Sequence, residues 1–208
     1  MRSKEDWHRG AVGGMWSVIG KLQFEFLVGR GLMPEHFLLD IGCGSLRGGV
    51  HFIRYLQPRH YYGFDKEESL IDAGKKIELK KYKLHQKQPQ LFVVKDFELP
   101  FDRKFDFMLA QSVFTHLIPE QVELCLKKVM ANLKELGVFY VTIFEKEGDE
   151  PFIGRRHNWR KGEVGTVKYS YSRMQQFANK LGISVEYIGH WKHPRKQKMI
   201  AFRKGYQL

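Results

Sequence analysis

The 208-residue chain has few cysteines and no long hydrophobic run. Its two cysteines, Cys43 and Cys125, are too few for a disulfide framework or a cysteine-based zinc site, and they favour a reducing, cytoplasmic setting. No stretch approaches the roughly 18 apolar residues that a membrane span needs. The N-terminal stretch MRSKEDWHRG is charged throughout, so it does not read as a signal peptide. No group of histidines and acids has metal-ligand spacing, so we predict no metal.

Internal repeats and low-complexity linkers are also missing, and a chain of this length can bury one sizeable core. We therefore expect a single domain over residues 1–208. Apolar residues at helical spacing in residues 12–32 predict one or two helices within residues 1–36. These helices are interpreted either as a lid over a ligand site or as a simple cover for a sheet edge.

The net charge of +12 is the unusual bulk property of the chain. It favours anionic partners such as nucleic acid, acidic small molecules or an acidic membrane surface. A lysine-rich solvated surface explains the same charge without a partner. Much of the excess lies in residues 75–87, KKIELKKYKLHQK. The oligomeric state is not indicated by any of these features.

Residues 37–49, FLLDIGCGSLRGG, form the most informative stretch. The apolar residues before Gly42 predict a buried strand, and Gly42 and Gly44 predict a tight turn that leads into a helix. Asp40 lies at the carboxyl end of this strand, where ligands bind in open α/β sheets. A dinucleotide fingerprint would need glycine or alanine at its sixth position, but Arg47 stands there.

The pattern D-x-G-x-G followed by Gly48-Gly49 resembles motif I of the class I S-adenosylmethionine-dependent methyltransferases. The resemblance runs from about residue 36 to the end, and the segments DIGCGSLRGG, QSVFTHL and HPRKQKM are similar to small bacterial enzymes linked to sugars, polysaccharides or secondary metabolites. It implies an α/β, three-layer Rossmann-like fold whose seven-stranded, mostly parallel sheet has an antiparallel last strand. The cofactor would be S-adenosylmethionine. The implied cofactor-binding residues are Asp40, Gly42, Cys43, Gly44, Asp65, Lys66, Asp96, Phe97, Gln111 and Ser112.

Two further strand ends carry acids. Residues 60–65, HYYGFD, predict a second strand, and an acid such as Asp65 can accept hydrogen bonds from both ribose hydroxyls of an adenosine. A helix N-cap is the alternative role for Asp65. Lys66 would flank the adenine. By the same resemblance, Asp96 would lie near the adenine amino group and Phe97 would back the ring.

The stretch QSVFTHL after the fourth strand resembles motif IV, so Gln111 and Ser112 would line the methyl-bearing end of the cofactor. It lacks the N/D-P-P-Y/F sequence of many enzymes that methylate exocyclic amines. His116 suits a general base for a hydroxyl nucleophile, or it orders the loop. Residues 119–136 predict a helix that Gly137 ends. Glu145, at the end of the fifth strand, is a second candidate for the base or a hydrogen-bond acceptor.

Residues 146–168 predict a long substrate-side loop. Arg155, Arg156, His157 and Trp159 lie close together in it and suit a carboxylate, phosphate or sugar, although a solvated loop has the same composition. His193 and Arg195, in the turn between the last two strands, would reach the same edge of the sheet, or form an exposed basic turn.

These features predict O-methylation of a sugar or another polar, in particular anionic, small molecule. A base is needed for a hydroxyl acceptor but not for one that is already anionic. The charge supports a second hypothesis, an RNA-directed methyltransferase, although no RNA-binding appendage is recognisable. A third is a non-catalytic partner protein that only binds the cofactor.

Overall fold

The structure is a computed structural model that describes residues 6–155 and 164–205. It divides near residue 95 into two compact units, one up to Lys95 and one from Asp96 onwards. We describe each unit by itself. The expectation of a single domain stays a prediction.

The first unit is built on three parallel strands. Its elements are α1 (Trp7–Ala11), α2 (Trp16–Gly29), β1 (Leu38–Ile41), α3 (Gly49–Tyr55), β2 (Tyr61–Asp65), α4 (Glu68–Ala73), α5 (Leu79–Lys81) and β3 (Gln90–Val93). Strand β2 pairs in parallel with β1 on one side and with β3 on the other. All four residues of β1 are buried, as expected for a strand whose residues are apolar apart from Asp40. Helices between the parallel strands supply the crossover connections.

A π-helical turn, Gly74–Glu78, joins α4 to α5. The sequence predicts one helix over residues 68–84, whereas the helical turns run from Glu68 to Lys81 with this irregular centre. A Cβ atom at Gly74 would lie 3.0 Å from Leu46 Cγ, so the glycine lets the helix approach the turn that follows β1. Glu78, at the end of the π turn, is fully buried.

The second unit contains both parallel and antiparallel strands. Its elements are β4 (Phe105–Ala110), α6 (Pro119–Val129), β5 (Leu133–Glu145), β6 (Phe152–Arg155), β7 (Val164–Tyr169), α7 (Tyr171–Leu181), β8 (Ile183–His190) and β9 (Lys198–Lys204). Strands β4 and β5 are parallel, and β9 is antiparallel to both β5 and β8. The last strand is thus inserted between two earlier strands. The expected fold class, an α/β fold with a mostly parallel sheet and an antiparallel last strand, is confirmed. The described residues contain nine strands where the resemblance implied seven, because β6 and β7 form within the predicted loop.

The predicted loop over residues 146–168 is wrong for residues 152–155 and 164–168, which form strands, whereas residues 146–151 contain neither helix nor strand. Strands β6 and β7 form an antiparallel hairpin, and β7 pairs in parallel with Phe144 and Glu145 at the end of β5. From Gly165 to Tyr169 buried residues alternate with more exposed ones, the period of a half-buried strand. The polar composition of the segment hid this short alternation.

The predicted end of the sixth helix is also wrong. Helix α6 ends at Val129, a 3₁₀ turn follows, and β5 begins at Leu133. Leu133 is fully buried as a strand residue that pairs with Phe105. Gly137 therefore lies inside a strand, where a Cβ atom would come within 2.9 Å of the Phe105 carbonyl oxygen. Pairing with β4 overrides the helical spacing of the apolar residues.

We expect Gly137→Ala to lower the free energy of unfolding by about 1–3 kcal/mol, because the added methyl group would press on backbone that cannot move aside freely. The neighbouring Leu136 is 83% exposed, so Leu136→Ala is the matched control and should change stability by less than about 0.5 kcal/mol. Urea unfolding followed by circular dichroism measures both. Equal effects of the two variants would contradict the packing found around Gly137.

Candidate functional site

The turn after β1 is held against β2 by backbone hydrogen bonds. The amides of Gly42 and Cys43 both donate to the Phe64 carbonyl oxygen, at 2.8 and 3.0 Å. Gly42 and Gly44 have φ angles of 69° and 54°, which glycine adopts without the strain of a Cβ atom. A Cβ atom at Gly63 of β2 would lie 3.0 Å from Cys43 Sγ, so the glycine makes room for this buried thiol. The turn is therefore closed and fixed in position.

The carboxylate of Asp65 joins the end of β2 to this turn. Its Oδ2 accepts a hydrogen bond from the Gly44 amide at 2.9 Å, and its Oδ1 accepts one from the Glu67 amide at 2.9 Å. Burial raises the pKa of Asp65, and these two amide donors oppose that shift. Each carboxylate oxygen retains a lone pair after one hydrogen bond, so the group can still accept from hydroxyl donors. Lys66, the next residue, is exposed.

Asp40 is a buried acid rather than an open ligand-binding group. It is 4% exposed, and its Oδ2 accepts a 2.6 Å hydrogen bond from the Tyr61 hydroxyl. Burial raises the pKa of Asp40 to about 7; the nearby Asp65 carboxylate acts in the same direction, whereas the Tyr61 hydrogen bond and the Arg47 charge lower it. Asp40 therefore changes charge near neutral pH.

The segment between α1 and α2 lies directly on the glycine turn. A Cβ atom at Gly44 would be 2.5 Å from Val12 Cγ1. The Arg47 guanidinium, which is 7% exposed, donates from Nη1 to the carbonyl oxygens of Val12 and Gly14, at 2.7 and 3.0 Å. Sequence reasoning missed this role of Arg47. The sequence feature that could have indicated this role is the position of a charged residue inside an otherwise glycine-rich motif.

A second anchor holds α1 in place. The buried Glu78 carboxylate lies 2.7 Å from His8 Nε2 and accepts from Arg9 Nε and Nη2, at 2.7 and 2.8 Å. Burial raises the pKa of Glu78, but the hydrogen bonds from Arg9 and His8 outweigh burial and leave the pKa below its ordinary value. Arg9 also lies 4.6 Å over the Trp16 ring. The lid interpretation stays a prediction; the segment does cover the turn that Gly44 belongs to.

A polar cluster lies at the end of β4 in the second unit. Ser112, with φ of 60°, donates its amide to Thr142 Oγ1 at 2.7 Å, and Gln197 Nε2 donates to Ser112 Oγ at 2.8 Å. The Gln111 Nε2 atom is 2.6 Å from Ser112 Oγ and 3.2 Å from His193 Nε2. The structure thus brings three predicted residues together. Thr142 and Gln197 were missed, because the strand pairing that places them is not visible in sequence spacing.

His193 is a buried member of this cluster. It is 3% exposed and stacks on Trp191, with the ring centroids 5.2 Å apart. Its Nδ1 accepts a hydrogen bond from the Arg195 amide at 3.2 Å. A neutral ring that accepts at Nδ1 carries its proton on Nε2, so the Gln111 amide must present its oxygen rather than its nitrogen to this atom. Arg195 itself is exposed.

The two candidate bases differ in their surroundings. His116 Nδ1 lies 2.9 Å from the Gly165 carbonyl oxygen in β7, so the neutral ring holds its proton on Nδ1 and keeps Nε2 as the basic nitrogen. Glu145 Oε2 accepts from the Tyr187 hydroxyl at 2.8 Å and lies 4.0 Å from Lys198 Nζ. These contacts favour His116 as the base. Both assignments stay predictions.

The other predicted site residues are more exposed or lie outside the described residues. Asp96 is exposed and accepts from the Glu98 amide at 3.2 Å, and Phe97 is partly buried with φ of 63°. Arg155 closes β6, and its side chain lies outside the described residues, as do Arg156, His157 and Trp159 entirely. Within residues 6–155 and 164–205, no group of three or more histidines, cysteines or acids could hold a metal ion. No helix in the same ranges has the length and apolarity of a membrane span.

Comparison with known proteins agrees with this geometry. Residues 39–139 match a family model described as a methyltransferase domain. The probable cobalt-precorrin-6B C(15)-methyltransferase (decarboxylating) of Methanococcus maripaludis is 30% identical over 132 residues, which cover 62% of this chain and 67% of that protein. The chain belongs to the class I S-adenosylmethionine-dependent methyltransferases.

Two further methyltransferases extend the comparison. An uncharacterized methyltransferase of Staphylococcus carnosus is 25% identical over 100 residues, 44% of this chain and 48% of that protein, so the match spans about half of that relative. The magnesium protoporphyrin IX methyltransferase of Synechocystis PCC 6803, solved with bound S-adenosylmethionine, superposes with a TM-score of 0.67 at 13% identity and covers 90% of this chain and 81% of that one. The latter likeness shows the shared fold.

We expect the stability of this methyltransferase to depend on the protonation of Asp40. Its pKa is about 7 in the folded chain against an ordinary value of 3.8, so the folded state binds more protons than the unfolded state between these values. The stability contributed by this carboxyl is present at acidic pH and is lost as the pH rises through about 7. The free energy of unfolding of Asp40→Asn, relative to wild type, should therefore increase from pH 5 to pH 8.

Urea unfolding at pH 5, 6, 7 and 8 measures this difference. Asp102→Asn, at an exposed position, is the control, and its difference from wild type should stay constant over the same range. A constant difference for Asp40→Asn as well would show that Asp40 keeps an ordinary pKa in the folded chain.

Proposed function

We propose that this chain transfers a methyl group from S-adenosylmethionine to a hydroxyl oxygen of a polar small molecule. The observation that carries the proposal is the Asp65 carboxylate, fixed at the end of β2 by the Gly44 amide at 2.9 Å. An acid in this position supports binding of the two ribose hydroxyls of an adenosine. When bound, the cofactor supplies an electrophilic methyl group on a positively charged sulfur.

The charges around the glycine turn support this cofactor over a dinucleotide. Asp40 is buried and Asp65 is partly buried, at the carboxyl ends of β1 and β2, and the Asp65 charge adds to the cost of ionising Asp40. Two buried carboxylates would repel a pyrophosphate, whereas a sulfonium and an ammonium group would offset their charge. The Arg47 guanidinium binds the carbonyl oxygens of Val12 and Gly14 rather than presenting its charge to a phosphate.

In this proposal the acceptor proton is taken by His116. Its Nδ1 donates to the Gly165 carbonyl oxygen, which fixes the ring and leaves Nε2 to accept a proton from a hydroxyl group. The remaining contribution of the chain is alignment and exclusion of water. An acceptor that is already anionic would need no base, and the exposed Arg195 would then contribute more than His116. The relatives named above, with precorrin and porphyrin in their names, do not decide between these acceptors.

We expect Asp65→Asn to weaken S-adenosylmethionine binding about 10- to 100-fold, the loss typical of hydrogen bonds to a charged group. Isothermal titration calorimetry measures the Kd. Asp72→Asn is the matched control, because Asp72 is a half-exposed acid of the same unit that pairs with Lys76, and the Kd of this variant should stay within two-fold of wild type. Unchanged affinity in Asp65→Asn would remove the ribose assignment.

We expect His116→Ala to slow methyl transfer at pH 7 at least about 100-fold while the Kd for S-adenosylmethionine stays within two-fold, because general-base catalysis contributes about 10²–10⁴ to the rate. The assay follows a labelled methyl group from S-adenosylmethionine into host lysate. His85→Ala, at an exposed histidine, is the control and should keep the wild-type rate. Full activity of His116→Ala would assign His116 a purely structural role.

The same assay with and without nuclease tests the acceptor class. Label that survives nuclease and fractionates with small molecules or glycans supports the proposal. Label that disappears with nuclease would overturn the small-molecule acceptor and favour RNA. No transfer at all, with cofactor binding intact, would favour a partner protein that only binds the cofactor.

A further inference from the structure

The positive charge of the first unit is concentrated in two segments that contain no acid. Residues 41–64 and 79–95 have no aspartate or glutamate. The two segments are in contact: Lys87 Nζ donates to the Leu56 carbonyl oxygen at 2.7 Å, and the Arg59 amide donates to the Lys87 carbonyl oxygen at 2.8 Å. Their cations therefore share one region of the surface, with no carboxylate from either segment between them.

We call the cations of this region the basic band. It consists of Arg54, Arg59, Lys80, Lys81, Lys83 and Lys87. All of them are exposed except Lys87, which is partly buried. Among residues 6–155 and 164–205, no carboxylate forms an ion pair with any of the six. Such a band attracts a polyanion and releases counterions when one binds.

An aromatic groove adjoins the basic band. It has a volume of about 380 Å³ and is lined by Phe24, His51, Arg54 and Tyr55. Phe24 stacks on His51 at 6.0 Å between centroids and meets the Tyr55 ring edge-on at 5.4 Å. Burial, followed by the Arg54 charge, lowers the pKa of His51, which keeps its ring neutral at pH 7. The groove therefore offers flat, uncharged ring surfaces beside cations.

Arg54 connects the two features. It lines the groove, and its guanidinium also lies 5.6 Å over the ring of Tyr82, which is flanked by Lys81 and Lys83 of the basic band. Single-stranded nucleic acids are bound by this combination of a cationic track for the backbone and aromatic rings for the bases. An acidic small molecule would need far fewer cations, and an acidic polysaccharide has no planar base to fill an aromatic groove.

We propose that the basic band and the aromatic groove bind single-stranded nucleic acid, with phosphates on the band and a base in the groove. This surface is a binding site in its own right and goes beyond the proposed methyl transfer. The test of this site measures nucleic-acid binding alone. A lack of binding would not contradict the proposed methyl transfer, and a lack of methyl transfer would not contradict this binding site.

The first test is fluorescence anisotropy with a labelled 15-nucleotide RNA of mixed sequence and with DNA of the same sequence, over a range of salt concentrations. We expect the combined variant Lys80→Gln, Lys81→Gln, Lys83→Gln to bind RNA at least ten-fold more weakly. The slope of log K against log salt should fall by about 2, at about 0.7 per lost phosphate contact. Tighter binding of the RNA or of the DNA identifies which of the two nucleic acids the surface prefers.

The matched control removes the same charge from the second unit with Lys104→Gln, Lys127→Gln and Lys180→Gln, all at exposed positions. Its Kd should stay within two-fold of wild type. If both triple variants weakened RNA binding equally, the effect would depend only on net charge, and the proposed site would be overturned. The absence of RNA and DNA binding at 50 mM salt would overturn it as well.

A second variant tests the groove separately from the charge. We expect His51→Ala to weaken binding several-fold with an unchanged salt slope, and to reduce the change in emission of RNA that carries 2-aminopurine, which reports base stacking. A thermal melt checks that the variant is folded. Binding and emission that do not respond to His51→Ala would show a charge-only surface for acidic polymers and overturn the nucleic-acid assignment.

Discussion

The hydrogen bond between the Gly44 amide and the Asp65 carboxylate is the constraint on which the candidate cofactor site of the first unit depends. It joins the carboxyl ends of β1 and β2 through a turn that is possible only because Gly42 and Gly44 accept left-handed backbone. The missing Cβ at Gly44 also makes room for Val12, so the N-terminal segment can lie on the turn. Arg47 then fixes that segment by its carbonyl oxygens.

Buried charge is the cost of this arrangement. Asp40 and Asp65 both have raised pKa values because burial disfavours their ionised forms. A positively charged cofactor is the natural complement to such a pair, so the same electrostatics that destabilise the free chain at alkaline pH would favour the bound cofactor. Glu78 behaves in the opposite way, since the hydrogen bonds from Arg9 and His8 outweigh its burial and lower its pKa within the fold. The first unit therefore contains two kinds of buried acid. The pKa of Glu78 is lowered by its partners, whereas the pKa values of Asp40 and Asp65 stay raised.

The charge of the chain also has two separate functions in our proposals. Arg47 and Arg9 are used internally, to hold the N-terminal segment. The basic band makes no ion pair with any described carboxylate and lies beside aromatic rings. A net charge of +12 is thus not a uniform solvated surface: part of it is structural, and part is available to an anionic partner.

The sequence by itself determined the buried strand β1, the glycine turn and the acids at the ends of β1 and β2, because local periodicity and glycine spacing encode them directly. The fold class and the antiparallel last strand were implied by the resemblance to a known family. Only the tertiary structure decided that Leu133 begins a strand, that residues 152–155 and 164–169 form a hairpin, and that Gln197 meets Ser112. These features depend on pairing between residues far apart in the chain. Strand pairing can override helical spacing, and no local pattern records which distant backbone or side chain will be the partner.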